Sequence, residues 1–206
     1  MKLFSALVLV TLATLTTAQY YDLPSPPFRL FIKSTNSSIN GTALGACHQG
    51  AAIEGLCLTG ETDQMPPSSY TTFYHNVSSF ANHSAGAADA DGSLSWNLRA
   101  GNLTVPSAMF LSIFSMSNVA NPTFYPGTTK FDVIAFDEYG SAYISAGLDD
   151  TVSPPTYFSP SLKVKNWYIC YTRWSYLYYT LSWKVGLTGE PQNPSCQKVD
   201  VVRVFN

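Results

Sequence analysis

Residues 165–184 read KNWYICYTRWSYLYYTLSWK, and their alternation limits what the chain can fold into. From Tyr178 to Val185, the side chains of Tyr179, Leu181, Trp183 and Val185 fall on one face. Those of Tyr178, Thr180, Ser182 and Lys184 fall on the other. A period of two is the signature of a half-buried strand, because successive side chains point to opposite faces. Trp167–Thr172 forms a second strand, and residues 173–176 form the turn between them. Paired aromatics across such a hairpin are common core material, so Tyr179, Leu181 and Trp183 are expected inside and Trp174 at least partly outside.

The same period recurs along the chain. Phe28, Leu30 and Ile32 alternate with Arg29 and Lys33, and Leu94, Trp96 and Leu98 follow a turn at Asp91-Gly92. Residues 131–145 read as a hairpin turning at 138–140, and residues 107–116 as a strand buried on both faces. In QKVDVVRVF the valines change parity. Either both faces are buried there, or a bulge sits near Val201-Val202. No segment beyond residue 18 shows a sustained 3.6-residue apolar period, and turn signals come at short intervals. The expected fold is all-β, a single antiparallel sandwich or barrel-like domain over residues 28–206. Weak echoes among SINGTAL, DADGSLSW and DEYGSAYI leave a β-trefoil as the alternative. Residues 19–27 are proline-rich and expected to be a flexible arm, and residues 149–161 a long polar connection.

The first residues, MKLFSALVLVTLATLTTA, have a lysine, an apolar run of about a dozen residues and a small-residue end. Residues 1–18 are therefore expected to be a signal peptide, with Gln19 the new N-terminus. Once Lys2 is removed, ten basic residues face thirteen acidic ones. No basic patch stands out, which argues against nucleic acid as a partner. No later stretch is apolar enough to span a bilayer, so a secreted, extracellular protein is expected.

Four cysteines, Cys47, Cys57, Cys170 and Cys196, suit two disulfides in an oxidising compartment. Three pairings are possible. Nearest-neighbour pairing closes short loops and is the expected one. No tight Cys or His spacing points to zinc, and no cofactor motif is present. Charged residues make up only 12% of the chain, and five sequons, at Asn36, Asn40, Asn76, Asn82 and Asn102, could supply solubility as glycans. At Asn121 and Asn193 a proline blocks the motif.

Catalytic signatures are sparse. No G-x-S-x-G elbow occurs. His48, His75 and His83 sit in polar stretches and read as solvated. The DADG of residues 89–92 lacks the later ligands of a calcium loop and reads as a turn. Asp137-Glu138 and Asp149-Asp150 could supply a carboxylate pair for glycoside hydrolysis, or could sit in exposed turns. Trp174, Tyr176 and Tyr178, near the hairpin turn, could form a platform that stacks on sugar rings.

Several blocks carry a wider likeness: FRLFIKSTNSSINGTALGACHQGAAIEGLCL, DGSLSWNL, SNVANPTFYPG, FDVIAFDEYG and, above all, NWYICYTRWSYLYYTLSWKVG with PQNPSCQKVDVVRVF. The pattern from about Phe28 to Phe205 resembles an uncharacterised family of small secreted proteins from filamentous ascomycete fungi. The resemblance implies a fungal, secreted source. It implies no activity and carries over no site residue. The expected role is non-enzymatic, at the cell surface or against a host or competitor, with a glycan or cell-wall component as partner. A lectin-like module and a carbohydrate-active hydrolase are the alternatives.

Protein recovered from culture medium should begin at Gln19. Its non-reducing peptide map should link Cys47 to Cys57 and Cys170 to Cys196. Retention of residues 1–18, or a Cys47–Cys196 peptide, would contradict this reading.

Overall fold

The computed structural model describes residues 21–206, and the signal peptide expected at residues 1–18 lies outside the described residues. There is no helix among the described residues. In chain order the strands are β1 (Tyr21–Pro24), β2 (Phe28–Lys33), β3 (Leu44–Gly50), β4 (Ile53–Leu58) and β5 (Phe73–Ser78). Next come β6 (Gly92–Ala100), β7 (Leu103–Ile113), β8 (Val119–Pro126), β9 (Val133–Phe136) and β10 (Ala142–Asp149). The last are β11 (Thr156–Val164), β12 (Trp167–Arg173), β13 (Leu177–Lys184), β14 (Gln197–Lys198) and β15 (Asp200–Phe205).

These strands make one curled antiparallel sheet, a half-barrel, as the alternation anticipates. The path runs β2–β5–β6–β7–β8, then through β4 and β13 to β12. The final segment joins its ends: Gln197–Lys198 pairs with β12 and Asp200–Phe205 pairs with β2, with Val199 between. This explains the parity change among the valines. The β15–β2 register is continuous from Asp200↔Lys33 to Phe205↔Phe28, without a bulge. Val199, Val201 and Val202 are all buried because the strand has packing on both faces. The three sequence echoes are separate turns, leading into β3, into β6 and between β9 and β10. They are not three lobes of a trefoil.

Within the curl lie Phe28, Leu30, Ile32, Phe73, Leu94, Met109, Phe124, Phe136, Trp167, Leu181 and Val201. Trp167 stands directly opposite Trp183, rings 4.6 Å apart and edge-on, a favourable aromatic geometry. Trp183 is 9% exposed, as its parity requires. The face shared with Tyr179 and Val185 does not stay inside, however. Tyr179 is 52% exposed and Val185 40%, because the hairpin runs past the core at both ends.

The polar face of β13 is buried instead. Thr180, Ser182 and Lys184 are all buried, Lys184 against the 186–196 loop. Thr180 and Thr172 share a 2.7 Å hydrogen bond, and Ser182 donates to Asn121. The ammonium of Lys184 is satisfied by the carbonyls of Gly186 and Thr188. Arg29, expected on the solvent side of β2, is also buried. The 61–67 loop folds over it, supplying Glu61 at 3.1 Å and the carbonyls of Thr62 and Met65. A buried charge is tolerated only when paired in this way.

Two stretches expected to be irregular are strands. Tyr21–Pro24, from the supposed flexible arm, pairs with β5. Thr156–Val164, from the supposed polar connection, pairs with β10. Their exposed, proline-containing sequences conceal strands that carry little core.

Both disulfides are present. Cys47 and Cys57 lie diagonally across the β3–β4 hairpin, Cα atoms 5.8 Å apart, beside Gly55, where a Cβ would crowd the Cys47 sulfur at 3.1 Å. Cys170–Cys196, Cα atoms 4.1 Å apart, fastens the 186–196 loop to β12.

Trp183→Ala should destabilise the fold by about 3–5 kcal/mol through the cavity beside Trp167. Trp174→Ala should cost about 1 kcal/mol or less, typical of a partly exposed position. Chemical unfolding of the two variants checks the contrast, which would be absent if the hairpin faced the other way.

Candidate functional site

The β12–β13 hairpin projects its aromatic end beyond the core. Its register places Tyr171 opposite Tyr179, Thr172 opposite Tyr178 and Arg173 opposite Leu177. Directly opposed residues share a face, so Tyr171 and Tyr179 stand on one side and Tyr178 on the other. The Tyr171 and Tyr179 rings are 4.9 Å apart, and both are about half exposed. On the opposite side, Tyr176 lies 6.4 Å from Tyr178 and 5.7 Å from the His48 ring. Trp174 is half-buried and packs on Phe114 at 5.1 Å.

Trp174, Tyr176 and Tyr178 are therefore not one flat surface. Tyr176 and Tyr178 are neighbours, while Trp174 is taken up by Phe114. The Tyr171–Tyr179 pair was not among the sequence candidates. Counting outward from Trp167 and Trp183 across the turn at 174–176 would have found it, because the pair lies two steps beyond the last core residues, Ile169 and Leu181.

The acidic pairs are used by the fold. Asp137 accepts hydrogen bonds from the backbone amides of Tyr139 and Ser141 and from Lys165 at 2.7 Å. Burial alone would raise the pKa of Asp137. The Lys165 ammonium and the two amides outweigh it and hold the carboxyl below its ordinary range. That state suits a turn anchor and opposes a general acid. Glu138 is exposed, 3.8 Å from Lys163. Asp149 caps its own turn, accepting from the backbone amide and hydroxyl of Thr151. Asp89, in the DADG turn, binds Lys163 at 2.7 Å and accepts from the Tyr143 hydroxyl.

The sequon asparagines differ. Asn40, Asn82 and Asn102 are exposed, outside the strands. Asn36 is half-buried and donates to Gln197 at 2.7 Å. Asn76 is half-buried on β5, where its amide donates to Ser95 at 3.3 Å.

His75 departs furthest from expectation. It is fully buried, not solvated. Phe73, His75 and Val77 share the inward face of β5, a period of two masked by polar neighbours. Its Nε2 donates to the Ile134 carbonyl at 3.1 Å, and Nδ1 has no partner among the described residues. Phe136 packs edge-on at 5.2 Å. Gly92 must lack a side chain, because a Cβ there would lie 2.4 Å from Nε2. Burial pushes the His75 pKa down to about 4, resisted by the Ile134 carbonyl and reinforced by Arg203.

A family model described as "Domain of unknown function (DUF7907)" matches residues 25–205. The chain belongs to that family. No curated protein and no solved structure matches it. The family spans every strand from β2 to β15 and includes both disulfides. No helix of the described residues is long and apolar enough to cross a membrane.

A buried neutral histidine makes stability depend on pH. The folded pKa of His75 lies below the unfolded value, so the unfolded chain binds more protons between them. Stability is full above about pH 6.5 and falls as the pH drops towards 4, by about 3 kcal/mol in all. His75→Gln, which keeps a donor for Ile134, should flatten the profile between pH 6.5 and 4.5. Denaturant unfolding across that range checks it.

Proposed function

We propose that this protein is extracellular, of fungal source as the family resemblance implies, and acts by binding instead of catalysis. Its place is the cell surface or the contact with a host or competitor, and its partner is a glycan or a cell-wall or host component. The observation that carries this reading is the solvent-facing aromatic end of the β12–β13 hairpin. Tyr171, Tyr176 and Tyr179 are each about half exposed there, on a rigid, disulfide-fastened support. Large rings held open to water at a strand end give much contact area for little ordering cost, which suits recognition. The two disulfides suit an oxidising compartment, and the exposed asparagines at 40, 82 and 102 suit glycans.

The hydrolase reading has less support, because Asp137 and Asp149 already hold turns. The lectin-like reading is favoured only in altered form, with the Tyr171–Tyr179 pair in place of Trp174.

A screen of the purified protein against polysaccharides and fungal or host surface extracts should show retention without turnover. Tyr171→Ala with Tyr179→Ala, and separately Tyr176→Ala, should reduce retention at unchanged melting temperature. Release of sugar that disappears in Glu138→Gln or Asp149→Asn would refute the binding reading.

A further inference from the structure

A second feature lies on the outer face of β5, β6 and β7, away from the hairpin end. The inward residues of these strands are Phe73, His75, Leu94, Trp96 and Met109. Those between them point outward: Tyr74 and Asn76 on β5, Ser95, Asn97 and Arg99 on β6, and Pro106 on β7. The register aligns Tyr74 with Ser95 and Asn97 with Pro106. Ser95 also opposes Ala108, so small side chains leave the floor low. β1 forms a wall on one side, with Asp22 and Pro24. The result is a trough of about 390 Å³, within the size range of small-molecule sites. A smaller hollow of about 140 Å³ shares Tyr74 and Asn97 and continues it towards Thr72 and Arg99.

The chemistry of the trough is specific. Its floor carries neutral hydrogen-bonding groups. The Asn76 amide donates to Ser95, which leaves the Ser95 hydroxyl hydrogen free. The Asn76 carbonyl oxygen is buried and has no partner among the described residues. The walls, Tyr74, Pro24 and Pro106, are flat and apolar. Asp22 is the one charged group lining the trough, and Arg99 lines the adjoining hollow, so the two spaces together carry no net charge.

A peptide adding as a strand is disfavoured. At this level β5 already lies between β1 and β6, and β6 between β5 and β7, so the backbone groups are spent. A ligand must be read by side-chain amides, hydroxyls and flat apolar walls. Those groups match a sugar, with hydroxyls around its rim and C–H bonds on its faces.

We propose that the trough lined by Tyr74, Asn76, Ser95, Asn97 and Pro106 is a binding site for a short neutral oligosaccharide. It is separate from the aromatic hairpin end and does not depend on what that end binds. The proposal requires the Asn76 sequon to stay unmodified, since a glycan attached there would fill the trough.

Isothermal titration of the intact protein with cellohexaose, laminarihexaose, chitohexaose and mannohexaose tests it. At least one should bind. Asn97→Ala and Tyr74→Ala should each weaken that binding at least about tenfold, with the melting temperature kept, while Tyr157→Ala, at an exposed position on β11 outside both sites, leaves it unchanged. Backbone amide signals of Asn76, Ser95 and Asn97 should shift during the titration, which also serves if one variant folds poorly. No binding of any of the four at millimolar concentration overturns the proposal. So does binding that survives both trough variants, binding lost in Tyr157→Ala, or a glycan found on Asn76 by peptide mapping. Failure of the hairpin variants to affect retention, by contrast, bears only on the hairpin end.

Discussion

The fold depends on one strand having two partners. Residues 197–205 hydrogen-bond first to β12 and then to β2, and so join the two ends of a long curled sheet. An open sheet of this length would present an unpaired edge of hydrogen-bonding groups at each end, a standing invitation to aggregate. The shared strand covers the β2 and β12 ends, and β1 and β11 are left as edge strands. It also places Val199 and Val201 against the Trp167 side of the core and Arg203 among Phe28, Phe136 and Phe205. Burying a guanidinium among three rings is tolerable because its carbon lies within 5.7 Å of each ring centroid and the Gly86 carbonyl accepts a hydrogen bond from it.

Much of this architecture was legible in the sequence where one face is apolar and the other polar. β2, β6, β12 and β13 declared themselves by alternation, and the cysteine spacing fitted two local staples. What escaped notice was burial produced by something other than the strand's own pattern. Arg29 and Lys184 look like solvent-facing residues in a window of ten. They are inside because loops 61–67 and 186–196 fold over them, and loop trajectories leave no periodic trace. His75 is the converse case. Its inward parity was visible beside Phe73 and Val77, but a polar residue type obscured it.

The candidate sites were legible to differing degrees. Composition located the aromatic end of the hairpin, yet only the register separates the Tyr171–Tyr179 pair from Tyr176 and Tyr178. The acidic pairs could have been catalytic or structural on sequence alone. The hydrogen bonds around Asp137 make it a turn anchor. The trough had no sequence signal, because its residues come from four strands and, on β5, β6 and β7, alternate with core residues.

The joining strand also bears on how the chain is made. β2 emerges early in synthesis, while its long partner, β15, is made only after every other strand. Until then the Phe28–Lys33 edge has no cover along most of its length, and closure must await a contact between segments far apart in sequence, which is intrinsically slow. Each disulfide, in contrast, joins cysteines only 10 or 26 residues apart, so both can form within hairpins or loops completed before the curl shuts. The staples thus act on the waiting intermediate, keeping local pieces in shape for a closing step that neither of them performs.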